Sequence, residues 1–343
     1  MTTSMTTYDL YAIGNALVDS EYEVSDAQLQ AMGVEKRHMT LIDAERRALL
    51  QSQVKDKHSR NTGGGSAGNT VVALAQLGGR AFYSCRVAED ELGDFYRKDL
   101  ASNGVDSNLA RGPLSTGQTG TCMVMVTPDA ERSMSTFLGT TADLDYTALN
   151  AEALAKAKVY YMEGYLAASP TGLEAAIKGR AIARQAGVML ATTLSDMSMI
   201  NFCRSGLEAM VGNAEVGGLD YLFCNEEEAQ VWCGSQDFAA ICQQISQLAT
   251  TVCLTRSAKG CVVIEGEKRT EVPAAKVKAV DTNGAGDMFA GAFLYAVTQG
   301  RSHADAAWLA NQAAGAVVAQ YGNRLTQQQL AAINARFVQH LGA

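Results

Sequence analysis

A chain of 343 residues, 47% apolar and 19% charged, has room for one large α/β domain or two smaller ones. Its net charge of −8 argues against nucleic acid or an anionic membrane as a partner, no apolar stretch approaches the length of a membrane span, and the polar start Met1-Thr2-Thr3-Ser4-Met5-Thr6-Thr7 does not read as a signal peptide. The eight cysteines stand in apolar runs with neither CxxC nor metal-ligand spacing, so they read as reduced core thiols of a cytosolic protein rather than as disulfides.

Strand-like apolar runs alternate with Ala-rich helical ones, the pattern of a mainly parallel sheet covered by helices. In chain order the spacing predicts a strand over 10–15, a helix over 67–77, a strand over 81–87, a helix over 93–103, a strand over 159–163 and a helix over 172–185. Strands over 188–193 and 221–224, helices over 226–232 and 238–247, strands over 251–255 and 261–265, and helices over 286–298, 303–321 and 326–341 complete the series. Two segments break it, 20–42 and 119–137; in the second, 121–127 and 132–137 flank Pro128-Asp129-Ala130-Glu131 as a hairpin.

The most informative stretch is Asp281-Thr282-Asn283-Gly284-Ala285-Gly286-Asp287. Small residues at 284–286 let successive backbone N–H groups converge at a helix mouth, where the helix dipole favours an anion. Asp287 then stands within reach of whatever attacks that anion. Capping explains an isolated Asp-plus-Gly turn, but two acids flanking three small residues ahead of a long Gly-rich helix exceed what a cap requires.

Upstream, Gly63-Gly64-Gly65-Ser66-Ala67-Gly68 fits GxGxxG, and Glu89 lies about twenty residues on, the spacing of a dinucleotide-binding oxidoreductase. Such a fingerprint should emerge from a buried strand, yet Lys55-Asp56-Lys57-His58-Ser59-Arg60-Asn61-Thr62 is polar and charged, which disfavours that reading. Gly64 and Gly65 instead let backbone approach a substrate closely, and Asn69 offers a donor and an acceptor to neighbouring hydroxyls; a plain Gly-rich helix start is the blander use. Asp19 follows the first strand in Ile13-Gly14-Asn15-Ala16-Leu17-Val18-Asp19 and can accept from both hydroxyls of a vicinal diol, or serve as a turn residue. Tyr165 could stack on a purine. No GxxxxGK[ST] occurs, so a P-loop is excluded.

Asp281–Asp287 resembles the C-terminal signature of the ribokinase-like (PfkB-type) carbohydrate and nucleoside kinases. Gly64-Gly65-Ser66-Ala67-Gly68-Asn69-Thr70, leading into Val71–Gly79, resembles the N-terminal signature of the same family. The resemblance implies an α/β ribokinase-like domain over 8–343: a mainly parallel central sheet flanked by helices, with a small β-sheet lid drawn from segments at about 16–42 and 115–138. It implies Asp287 as catalytic base, the amides of Gly284, Ala285 and Gly286 as anion hole, Arg132 on the lid facing the transferred phosphoryl group, and Asn15, Asp19, Gly64, Gly65 and Asn69 on the acceptor.

For the nucleotide, Asn225 and Glu228 resemble the family's Asn-x-x-Glu, which holds Mg²⁺ through waters, although Asn225 capping a helix with an acidic first turn is compatible with the same residues. Thr255-Arg256-Ser257-Ala258-Lys259-Gly260 resembles the ATP-contacting turn, with Ser257 where the family usually has Gly, and Asn311 matches a position near the adenine. The family often binds a monovalent cation such as K⁺, here at Asp281, Thr282 and the 321–324 loop. The implied activity is ATP-dependent phosphorylation of a primary hydroxyl. Gly14-Asn15, the Asn-Gly form of the motif, Arg132 and the Tyr161/Tyr165 pair lean toward adenosine kinase and its bacterial relatives, while Gly64–Thr70 resembles the sugar-kinase form as closely and keeps fructokinase and ribokinase open. An exposed lid edge could pair two subunits.

Overall fold

The computed structural model describes residues 7–36, 39–56, 59–110, 114–129, 131–212 and 218–342. Of the sequence expectations, positions 1–6 of the polar start, 37 and 38 of the first lid segment, Lys57 and His58 of the charged run, Ala130 of the hairpin turn and the last residue of the domain lie outside it.

The strands are β1 (Tyr8–Ile13), β2 (Leu17–Glu23), β3 (Met39–Leu41), β4 (Ser59–Gly64), β5 (Ala81–Ser84), β6 (Val105–Ser107), β7 (Gly120–Val126), β8 (Arg132–Phe137), β9 (Ala157–Met162), β10 (Met189–Thr193), β11 (Leu219–Asn225), β12 (Ala249–Thr255), β13 (Cys261–Glu265) and β14 (Lys268–Val272). Nine form one sheet in the order β14-β13-β12-β11-β10-β9-β1-β5-β6. From β12 to β6 all neighbours are parallel, and β13 and β14 close one edge as an antiparallel hairpin.

A parallel sheet has to be covered on both faces, and the alternation along β1 shows how. Leu10 and Ala12 enter one core layer, Tyr11 and Ile13 the other. The first layer is roofed by helices Ser66–Gln76, Ala285–Thr298, His303–Val318 and Gln327–Leu341, and the second by Pro170–Ala186, Arg204–Val211, Glu226–Cys233 and Phe238–Ile245. All eight cysteines are free, six of them buried. Among the described residues no helix is long and apolar enough to cross a membrane.

The second sheet has the order β3-β8-β7-β2-β4. One face carries its own core, in which Tyr22, Met123 and Met125 pack with Leu29, Met32, Leu50 and Val54 from helices Asp26–Ala31 and Ala44–Val54 and their flanks. The register sets Asp19 opposite Cys122, and Cys122 opposite Thr136. Since side chains alternate, Asp19, Glu21 and Arg132 share the opposite face, which looks across to the large sheet.

The predicted α/β alternation is observed, with ends shifted by a few residues. Helices Ala151–Ala155, Met197–Phe202 and Arg204–Val211 and strands β6 and β14 were not predicted, and three other features bear on the site. Residues from 59 onward, part of the charged run, do form a strand leading into the glycines, but an edge strand of the small sheet, where one side of the ribbon is open to water and polar residues are tolerated. Helix Ala44–Val54 was not predicted because it buries just Leu50 and Val54 and shows almost no apolar stripe. The first strand ends at Ile13 rather than 15, leaving Gly14-Asn15-Ala16 as the link between the two sheets.

Candidate active site

Two helices bring the two signature stretches together. Helix Ala285–Thr298 crosses helix Ser66–Gln76 at Gly291, where any Cβ would stand 2.5 Å from Thr70 O and 2.6 Å from Ala73 Cβ. That approach sets the two helix N-termini side by side. Ser66 Oγ donates to Asp287 Oδ1 at 2.6 Å, and Asn69 Nδ2 donates to Asp287 Oδ2 at 2.9 Å. Burial raises the Asp287 carboxyl above the usual range, while these two donors and the Arg324 guanidinium pull it back. Gly284 takes φ +73, the left-handed conformation that opens the helix without a side chain, and Gly286 meets nothing that a Cβ would strike.

Asp287 lines a cavity of about 990 Å³, at the upper end of the range for small-molecule sites. Its walls include Ser66, Tyr161, Asn225, Glu228, Thr255 and Ser257, with Gly260, Ala285, Gly286 and Asn311. Every sequence-predicted nucleotide-side residue therefore borders one space with Asp287. Asn225 and Glu228 form a reciprocal cap: Asn225 N and Nδ2 donate to the Glu228 carboxylate at 3.1 and 2.6 Å, and Glu228 N donates to Asn225 Oδ1 at 2.8 Å. Burial pushes Glu228 up to about 7.

Ser257 sits at φ +49. The turn demands the left-handed conformation that favours glycine, and this chain meets it with serine at a cost of about 1–2 kcal/mol. Gly260, at φ +90, has no such latitude, because a Cβ there would stand 2.1 Å from Val272 O. Asn311 is buried and commits its amide to Val272 O and Pro273 O at 3.0 and 3.2 Å, tying its helix to the β14 edge.

On the acceptor side, Asp19 packs on Gly64, where a Cβ would stand 2.4 Å from Asp19 Oδ1. Burial pushes Asp19 up to about 7 against the pull of Arg324 and Arg132. Gly65, at φ +86, brings its backbone against Asn15 O, to which Tyr83 donates at 2.9 Å. Tyr165 is partly buried and packs on the second core layer. Arg132 is not free: its Nη2 stands 2.8 Å from Glu21 Oε1, its Nη1 stands 3.2 Å from Asp281 Oδ2, and its guanidinium lies over the Tyr321 ring at 5.8 Å. Asp281 also accepts from Asn283 N and Gly322 N at 3.1 and 3.3 Å.

Sequence reasoning gave no role to Glu163, Lys276 or Lys278, and placed Asn323 and Arg324 only in the loop expected to hold a cation. Glu163 accepts from Asn15 N and Nδ2 at 3.2 and 2.8 Å and from Ala67 N at 2.8 Å, pinning both chain crossings to the small sheet, and burial pushes it up to about 7. Asn323 donates to Asn69, and Arg324 Nη2 donates to Gly63 O at 2.8 Å. Lys276 and Lys278 line the cavity from an irregular loop. Position after a strand was the one available signal, and it singled out Glu163 alone.

The sequence pattern of the pfkB family carbohydrate kinases matches residues 36–330. The solved structure of adenosine kinase from Sinorhizobium meliloti superposes with a TM-score of 0.86 at 36% identity, covering 96% of this chain and 99% of that one. The probable sugar kinase protein from Rhizobium etli CFN 42 gives 0.88 at 37% identity, covering 97% and 100%. Adenosine kinase from Schizophyllum commune is 25% identical over 93% of this chain and 97% of its own length. A ribokinase-like fold with these relatives defines an ATP-dependent phosphotransferase that acts on a hydroxyl group. The chain belongs to the pfkB family of carbohydrate kinases.

Proposed function

We propose that the chain phosphorylates the primary hydroxyl of a ribonucleoside, with adenosine as the leading acceptor. The observation that carries this is the position of Asp287, held by Ser66 and Asn69 in the wall of the large cavity, with Asp19 of the small sheet near enough for the two charges to interact. The acceptor hydroxyl gives its proton to the Asp287 carboxylate as its oxygen forms a bond to the γ-phosphorus; the bond to the bridging oxygen breaks and ADP leaves. Amides of Gly284, Ala285 and Gly286 face the developing charge; Lys276 and Lys278 on the cavity wall, Arg324 beside Asp287 and Arg132 on the small sheet are the cations that an acidic protein gathers there. Asp19 and Asn69 offer acceptors and donors to a ribose diol. The small sheet serves as a lid that excludes water, which would otherwise compete as acceptor.

Magnesium, when bound, neutralises phosphate charge. Both Glu228 oxygens already accept from Asn225, which suits holding the ion through waters rather than directly. For a monovalent cation, the buried and unpartnered Asn323 Oδ1 joins the Asp281 carboxylate on adjoining loops, an oxygen set that suits potassium. Eight free thiols fit the reducing cytosol, and the exposed edge strand Met39–Leu41 supports a homodimer formed through the small sheet.

The second reading, a fructose or ribose kinase, is favoured by the likeness to the Rhizobium sugar kinase protein and to rice fructokinase-1, 27% identical over 69% of this chain. ATP consumption measured over adenosine, inosine, guanosine, ribose, fructose and tagatose separates them. The nucleoside reading expects adenosine to be turned over fastest; turnover confined to free sugars overturns it.

A further inference from the structure

The Asp287 carboxylate can only accept, so Asn69 has to turn its NH₂ toward it. A side-chain amide is two-sided, and a half-turn about its last torsion would present oxygen instead. The constraint lies on the far side of Asn69, whose Oδ1 accepts from Asn323 Nδ2 at 3.0 Å. Asn69 and Asn323 are 8% and 6% exposed, so water competes little for either group. The loop that carries Asn323 is anchored independently. Gly322 N donates to Asp281 Oδ2, Arg324 Nη2 donates to Gly63 O, and Asn323 Cβ packs against Gly284, where an added Cβ would stand 2.7 Å away.

We propose that Asn323 is a positioning residue for the base: by donating to Asn69 Oδ1 it locks the Asn69 amide with its NH₂ toward Asp287. The proposal rests on Asp287 being the base. Asn323 touches neither the reacting atoms nor Asp287 and acts through Asn69, linking three stretches of chain that lie far apart in sequence. The polarity runs one way, from Asn323 donor to Asn69 acceptor, then from Asn69 donor to Asp287. Reversing the first link reverses the second.

Other groups also bear on Asp287, namely Arg324 beside Asn323, Asp19 of the small sheet, Tyr161, Glu163 and Tyr165 at the end of β9, and Glu228 across the cavity. A test therefore has to isolate the path through Asn69. In the full-length protein at saturating potassium, Asn323→Asp places an acceptor where a donor stood, so Asn69 turns round and presents oxygen to Asp287. The acid limb of the kcat/KM profile then moves up by about one pH unit. Asn323→Ala, which leaves both orientations open, gives a smaller upward shift and serves if the Asp variant does not fold.

A new negative charge alone could also raise that limb, so the same substitution is made in an Asn69→Ala background, where the relay predicts no further shift. An unmoved limb in both Asn323 variants, or an equal shift without Asn69, overturns the proposal. Asp287→Asn, assayed alongside, separates the two failures: an inactive Asp287→Asn with an unmoved limb removes the relay and keeps the base, while an active Asp287→Asn removes both.

Discussion

Arg132 on β8 reaches across from the small sheet and pairs with Asp281 at 3.2 Å, both side chains nearly shielded at 10% and 5% exposure. The contact joins the small sheet to the stretch that begins the Asp287 helix, and Glu21 completes it from the small-sheet side at 2.8 Å. Removing one partner of a buried pair costs about 3–5 kcal/mol because the remaining charge is stranded. Asp281→Asn leaves Arg132 with Glu21 and should fall at the low end of that range. Arg132→Gln strands two carboxylates and should cost more. Urea unfolding at neutral pH measures both, and the reverse order would show that Glu21 and Asp281 are solvated well enough to stand alone.

Three carboxyls around Asp287, namely Asp19, Glu163 and Glu228, are each pushed up to about 7 by burial. Each holds its proton more tightly in the folded chain than in the unfolded one, where ordinary values of about 4 apply. Their contribution to stability is therefore fully present below about pH 4 and is lost as pH rises toward 7. The unliganded protein should melt at a lower temperature at about pH 7.5 than at about pH 5.5, and Asp19→Asn together with Glu228→Gln should flatten that slope. A melting temperature that climbs across this window, with the amide variants unchanged, contradicts the burial argument.

Gly64 and Gly65 should respond differently to alanine. At Gly64 the intruding Cβ meets the end of the Asp19 side chain, which can move, so the fold should survive while acceptor KM rises about tenfold, the equivalent of about 1.4 kcal/mol. At Gly65 it meets Asn15 O at 2.1 Å from a backbone at φ +86, and neither can yield. Gly65→Ala should lose folded protein, read by circular dichroism. Equal KM effects with both variants folded would mean that Asp19 does not contact the acceptor.

Substitution of Tyr165 tests nucleoside against sugar use. If its ring stacks on a purine, Tyr165→Ala lowers kcat/KM for purine nucleosides by about 1–3 kcal/mol and spares free sugars. The ring packs on the second core layer in this structure, so equal loss for both acceptor classes would assign it to packing.

Much of this architecture was legible because its physics is local. The Gly284–Gly286 mouth, the Asn225/Glu228 cap and the alternation of β1 each follow from neighbours a few residues apart. What the sequence concealed depends on distant chain. The Asn323–Asn69 hydrogen bond joins residues 254 positions apart, and nothing in Tyr321-Gly322-Asn323-Arg324 announces which way the amide points. Glu163 follows a strand like many surface acids, and only the fold places three donors around it. Polarity over 55–62 argued against a buried strand, and β4 is an edge strand of the small sheet, where one side of the ribbon is open to water.

The central claim is that Asp287 removes the acceptor proton. The most direct measurement is steady-state and single-turnover kinetics of Asp287→Asn with ATP and the preferred acceptor, beside a binding isotherm for ATP. The account predicts that kcat falls by roughly 10²–10⁴ while ATP affinity changes little, since the amide keeps the shape and loses the base. Near-normal turnover in that variant would contradict it.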